Sequence, residues 1–277
     1  MLEPTPIGPT AKHIPIPISD DLPVDEISIR AKPLSRQPVS DNLPIDSTDW
    51  YSQFNSPLPT QDDLPSDDGV PMETARHKAQ MELLINSLKP WLAQHGGGYV
   101  GGNMFVHFSL KQVRNEDFRG PDFFVVLGVE NKERKSWVVW EERKSLDIVI
   151  ELLSGTTASK DKHEKKLAYQ NELKVSEYFW FDPWNPDDLA GFRLQKRPNG
   201  VYDEILPNSQ NQLISQSLGL VLTRWRGVYD DIDAVWLRWQ TLDGELLPTP
   251  QECADAEKER ADAAEAENAR LKALLNL

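Results

Sequence analysis

The chain has a single cysteine, Cys253, among 277 residues. That excludes an intramolecular disulfide and a cysteine-built zinc site, and it fits a reducing cytoplasm. No apolar run approaches 18 residues, so no membrane span is expected. The N-terminus has no basic region followed by a hydrophobic run, so no secretory leader is expected. The five histidines, at 13, 77, 95, 107 and 163, show no metal-ligand spacing. Gly96-Gly97-Gly98 and Gly101-Gly102 lack the Gly-Lys-Ser/Thr of a phosphate loop. No serine sits in a nucleophile elbow.

Basic charge is also in short supply. The net charge is −14, which argues against a high-affinity, non-specific coat on DNA. The imbalance is concentrated at the two ends. Residues 1–72 hold 12 acids and 4 bases, and residues 251–277 hold 7 and 4. Residues 73–250 hold 25 and 22, close to balance and compatible with a local basic groove.

Thirteen of the 21 prolines lie at or before Pro71. Such spacing stops helices and strands from running far, so residues 1–68 read as a disordered acidic arm or a strap over the surface. From Met72 to His95 the apolar positions Ala75, Ala79, Leu83, Leu84, Leu88 and Trp91 recur as on one helix face, and the triple glycine ends the run. Strand-like runs follow in YVGGNMFVHF, DFFVVLGV, KSWVVWEE and LDIVIELL. A helical stretch near 159–173 comes next, then a strand in SEYFWFDP, a hairpin from FRLQKR and VYDEILP, and two strands in LGLVLTRWRGVY and AVWLRW. The pattern is α+β: a mixed curved sheet with flanking helices over residues 69–248.

Residues 249–277 form a separate element. Thr249, Pro250 and Glu252 make a capping box, and the helix after them meets no breaker. Ala261, Ala264, Asn268, Leu271 and Leu275 recur at heptad spacing, a short candidate coiled-coil seam through which two copies would pair as a homodimer.

Two acids stand out against this background. Asp122 heads the apolar run in GPDFFVVLGV, and Glu151 lies inside LDIVIELLSGTT. A carboxylate within a buried strand is costly to desolvate unless something pairs it, and a divalent cation is a common partner. The plainer readings are that Asp122 caps a turn after Gly120-Pro121 and that Glu151 lies on a solvated strand face. Asp182 before Pro183 reads as a turn former, and Trp137, Trp140 and Trp180 as core.

The series LPSDDGVPMETARHKAQMELL, YVGGNMFVHF, GPDFFVVLGV, KSWVVWEE, VIELLSGTT, DKHEKKLAYQ and VSEYFWFDP resembles the putative restriction endonuclease family of the PD-(D/E)XK nuclease superfamily, over roughly residues 64–250. The resemblance implies a restriction-endonuclease-like core that hydrolyses DNA phosphodiesters with Mg²⁺, or with Mn²⁺ in its place. It implies Asp122 and Glu151 as metal ligands, joined by the backbone carbonyl of Leu152. The superfamily's Glu-x-Lys would put lysine at 153, but Leu153 stands there. The family position for the lysine is then Lys165 on the following helix, with Tyr169 one turn further on and Lys162 and Lys166 as alternatives. Glu73 matches an auxiliary acid of related nucleases, but its plainer reading, preferred over a ligand role, is a first-turn acid complementing the helix dipole. The competing function is an inactive nuclease fold serving as a DNA- or protein-binding scaffold.

Overall fold

The computed structural model describes residues 58–66, 74–111, 120–155, 161–195 and 200–275, all within the unit Ser56–Leu277. The expected N-terminal arm lies outside these residues except for its last part, and Glu73 lies outside them too. Among the described residues, no helix is long and apolar enough to cross a membrane.

Helix α1 spans Ala75–Gln94, and Thr74 caps it by accepting from the His77 amide. Its buried side chains include Ala79, Leu83, Leu84, Leu88 and Leu92. Spacings of three and four put these on one stripe.

Six strands make the main sheet: β1 (Gly98–Gly101), β3 (Phe123–Leu127), β5 (Ile148–Leu152), β6 (Glu177–Phe181), β7 (Leu189–Leu194) and β8 (Tyr202–Glu204), side by side in that order. Only β5 and β6 are parallel. A parallel pair needs a crossover. Here the crossover contains a π-type turn, Asp161–Lys165, that runs into helix α3, Lys166–Asn171. A second sheet orders β11 (Ile232–Gln240), β10 (Leu220–Tyr229) and β9 (Leu213–Ser215). Asp230 and Asp231 both take positive φ in the two-residue β10–β11 turn, a conformation that aspartate tolerates. The expected strands and hairpins of the second half are all present.

Alternation along the strands separates two cores. Phe123, Val125, Ile148, Ile150, Leu152, Phe179 and Phe181 pack with α1 and the second sheet. Phe124, Val126, Val149, Tyr169, Tyr178 and Phe192 pack on the other face.

One expected strand is mostly not a strand. In KSWVVWEE only Trp137–Val138, β4, pairs, parallel to β2 (Val106–His107). Val139–Glu142 then turns as a short helix, α2, that ends at Arg143 with φ 55°. The turn brings Glu142 back onto the buried Arg134, with both guanidinium contacts under 3 Å. Trp137 and Trp140 are buried, as expected of core residues.

Residues 58–66 lie along this region. Trp140 donates to the Pro59 carbonyl at 2.8 Å, the Lys135 amide donates to Gln61 at 2.9 Å, and Leu64 is buried. Helix α4, Pro250–Leu275, has no buried residue. Its capping box is closed in both directions, by Thr249 N to Glu252 at 2.7 Å and Glu252 N to Thr249 at 3.2 Å. Glu252 also pairs with the buried Arg238.

Candidate active site

The β3–β5 register pairs Phe123 with Ile150, so Asp122 and Glu151 come opposite each other at one end of the sheet. Both lie on the Phe124–Val149 face, since side chains alternate along a strand. Opposite faces would have ruled out a shared cation. Glu151 is fully buried. Its Oε2 accepts from Lys165 Nζ at 2.9 Å and its Oε1 from the Tyr169 hydroxyl at 2.6 Å. Lys165 is 21% exposed, so its ammonium reaches from solvent into the site.

Asp122 Oδ2 accepts from the backbone amide of Leu152 at 2.7 Å and lies 3.7 Å from His77 Nε2. Burial pushes the Asp122 carboxyl up. The nearby His77 ring, the charges of Lys165 and His77, and the Leu152 amide outweigh it and hold the group below its ordinary value. Tyr169 is shifted the other way: burial first, then the charge of Glu151, raises its hydroxyl well above the usual range. It therefore stays a protonated donor to Glu151 at neutral pH.

The structure thus brings together Asp122, Glu151, Lys165 and Tyr169. It separates the other two lysines from Glu151. Lys162 pairs with Asp188 at 2.6 Å, and Lys166 lies over the Phe192 ring at 3.3 Å. His77 was not foreseen. It is a lone histidine on an otherwise ordinary helix, and only the packing of α1 against the start of β3 brings it to Asp122.

A buried carboxylate is not diagnostic by itself. Glu177 is equally buried, but Arg193, Ser215 and the Gln216 amide hold it within 3 Å. It joins the two sheets and has its charge balanced in place. Asp122 differs, because its Oδ1 has no hydrogen-bond partner among the described residues. Two carboxylates with an open oxygen are the hard-donor chemistry that suits a divalent cation. No group of three or more His, Cys, Asp or Glu side chains gathers among the described residues.

Residues 67–227 match the model of the Uma2 family, described as putative restriction endonucleases. The chain belongs to that family. Membership gives it a nuclease-type function. Among solved structures, the chain is similar to a putative nuclease belonging to DUF820 from Anabaena variabilis ATCC 29413, at 17% identity and a TM-score of 0.38. That similarity covers 58% of this chain and 91% of the other. No curated protein matches.

Proposed function

We propose that this family member is a Mg²⁺-dependent endonuclease that hydrolyses DNA phosphodiester bonds, with Mn²⁺ as an alternative ion. The observation that carries this reading is the meeting of Asp122 and Glu151 on one sheet face, with Lys165 Nζ 2.9 Å from Glu151. Asp122, Glu151 and the Leu152 carbonyl would hold the ion. When bound, it would acidify a water and neutralise charge on the scissile phosphate.

The chain's own groups have separate tasks. Lys165 places a positive charge at the edge of the site, where it orients the attacking water and steadies negative charge that grows on the phosphate oxygens. Tyr169 pins the Glu151 carboxylate, so only one of its oxygens is shared with Lys165. The Leu152 amide holds Asp122 through Oδ2, with His77 beside it, so that Oδ1 would be available to a cation.

Two copies would act together on the two strands of a duplex. Support comes from α4, whose 26 residues bury nothing and leave Leu271, Leu274 and Leu275 exposed. A second α4 aligned along Ala261, Ala264, Asn268, Leu271 and Leu275 would cover Leu271 and Leu275, with Asn268 setting register.

The test is nicking of supercoiled plasmid by wild type and Asp122→Asn, with Mg²⁺, Mn²⁺ or EDTA. Cleavage by wild type that needs a divalent ion and is lost in the variant is expected. A folded wild type that leaves plasmid intact under every condition would favour the inactive scaffold.

A further inference from the structure

Among the tryptophans of the described residues, Trp184 is the one that belongs to the large exposed hydrophobics, at 60% exposure. It does not sit on a loose turn. The amides of Trp184 and Asn185 both donate to Asp182 Oδ1, at 2.8 and 3.1 Å. The Asp182 amide donates to the Asp188 carbonyl at 3.0 Å. Arg224 holds the carbonyls of Pro186 and Asp187 from below. A rigid loop thus presents a large aromatic ring to water, where it contributes little to folding.

The position of that loop makes the exposure informative. It leaves the C-terminal end of β6, which runs parallel to β5, so it emerges at the end of the sheet that carries Glu151. Two contacts tie it to the elements that build the site. Lys162, one turn before Lys165, pairs with Asp188, and Asp188 also accepts from Trp180 Nε1 at 3.0 Å. On the other side, the guanidinium carbon of Arg76 lies 3.9 Å from the Trp184 ring centroid. Arg76 is the neighbour of His77, which touches Asp122. No carboxylate pairs with Arg76 among the described residues. The result is a largely exposed ring with a guanidinium against it, and a cation with no carboxylate partner among the described residues, at the end of the sheet that carries Glu151.

We infer that Trp184, backed by Arg76, is a stacking platform for an unpaired nucleobase next to the scissile phosphate. The inference rests on the nuclease reading above and adds a preference to it: the strand bound has a base free to leave its stack. A nucleobase is the occupant that suits both parts. Any base offers a π-face to the exposed ring, and the adjoining phosphate offers a negative charge to the guanidinium. The cation–π contact also pre-positions the ring, so less order is lost on binding.

The experiment is a titration of the full chain against fluorescein-labelled oligothymidylate of about ten nucleotides, followed by anisotropy, with Ca²⁺ in place of Mg²⁺. The same oligomer carrying abasic sites and a blunt duplex of equal length are the comparison probes. Stacking on an aromatic contributes about 1–3 kcal/mol per base, so Trp184→Ala should weaken oligothymidylate binding by about 5- to 150-fold. Trp184→Phe should recover most of the loss. Wild type should lose a similar factor on the abasic strand, and Trp184→Ala should no longer distinguish the two strands. Binding by Trp184→Ala within twofold of wild type overturns the platform, as does a wild type indifferent to abasic sites. Preference for the duplex with no dependence on Trp184 also overturns it. The outcome is separate from the plasmid assay: tight, Trp184-dependent binding without cleavage sinks the enzyme reading and leaves the platform standing.

Discussion

Asp122 Oδ2 accepts a 2.7 Å hydrogen bond from the amide of Leu152, the residue directly after Glu151. The first candidate ligand is therefore positioned by the strand that carries the second. This matters for the choice of variant. Asp122→Ala removes a charge and also strands a buried amide, which costs about 1–3 kcal/mol on its own. Asp122→Asn keeps an acceptor for that amide and removes the charge alone, so it isolates the chemistry from the fold.

Glu151→Gln is expected to reduce plasmid cleavage by two to four orders of magnitude, on the order of the several kcal/mol that a metal supplies to a developing charge. The fold should survive, because an amide oxygen still accepts from Tyr169 or Lys165. Isothermal titration with Mn²⁺ should show lost affinity alongside lost cleavage. Wild-type cleavage by this variant would remove Glu151 from the site.

The three lysines of the crossover should separate cleanly. Lys165→Ala is expected to abolish cleavage while Mn²⁺ binding persists, since Lys165 alone of the three contacts Glu151. Lys166→Ala should cut at close to the wild-type rate, because its ammonium lies over Phe192. Single-turnover rates on a labelled duplex would decide. A damaging Lys166→Ala with a harmless Lys165→Ala would reverse the assignment.

Acid stability should depend on Glu142. The hydrogen bonds from Arg134, aided by the Arg134 and Lys132 charges, hold its carboxyl below the ordinary 4.5 despite some burial. A lowered folded value means the pair stabilises fully above about pH 4.5 and progressively less as pH falls through the folded value. Glu142→Gln should cost roughly 1.5–3 kcal/mol at neutral pH, the range for hydrogen bonds to charged groups. The difference from wild type should shrink as pH drops below 4.5. Urea denaturation at pH 7 and at pH 3 measures both, and an equal difference at the two pH values would contradict the assignment.

The tail prediction needs a cut that spares its root. Glu252 neutralises the buried Arg238 through contacts at 2.7 and 2.8 Å, so removing it would damage the domain. Deleting residues 257–277 instead should turn a dimer into a monomer by light scattering. It should also reduce double-strand cleavage more than nicking. An intact chain that is monomeric at micromolar concentration would end the dimer proposal and leave the active-site assignment untouched.

The two acids of the candidate site stood out in sequence because strands impose an alternation that a buried acid visibly breaks. Glu151 interrupts an apolar run, and Asp122 opens the neighbouring one. Lys165 was reachable only through family position, because its helix is a run of charges in which solvated lysines are the rule. His77 and Trp184 left no local signal, since each gains its meaning from a partner far away in sequence. The segment KSWVVWEE misled for a different reason. Its β-branched and aromatic residues suit a strand, but the Glu142–Arg134 pair and the left-handed Arg143 bend it into a turn.

Gln80 bears on how this molecule meets its neighbours. Its side-chain amide donates to the Leu237 carbonyl and accepts from the Leu237 amide, both at 2.9 Å. Strand β11 is an outer strand of its sheet, and open ladder groups on such a strand invite another chain to pair with them. Gln80 answers two of those groups as a strand residue would, and α1 lies across the place where an incoming strand would dock. The helix therefore shields that edge and satisfies its ladder groups at once, and Gln80→Leu would leave the Leu237 amide and carbonyl buried without their partner.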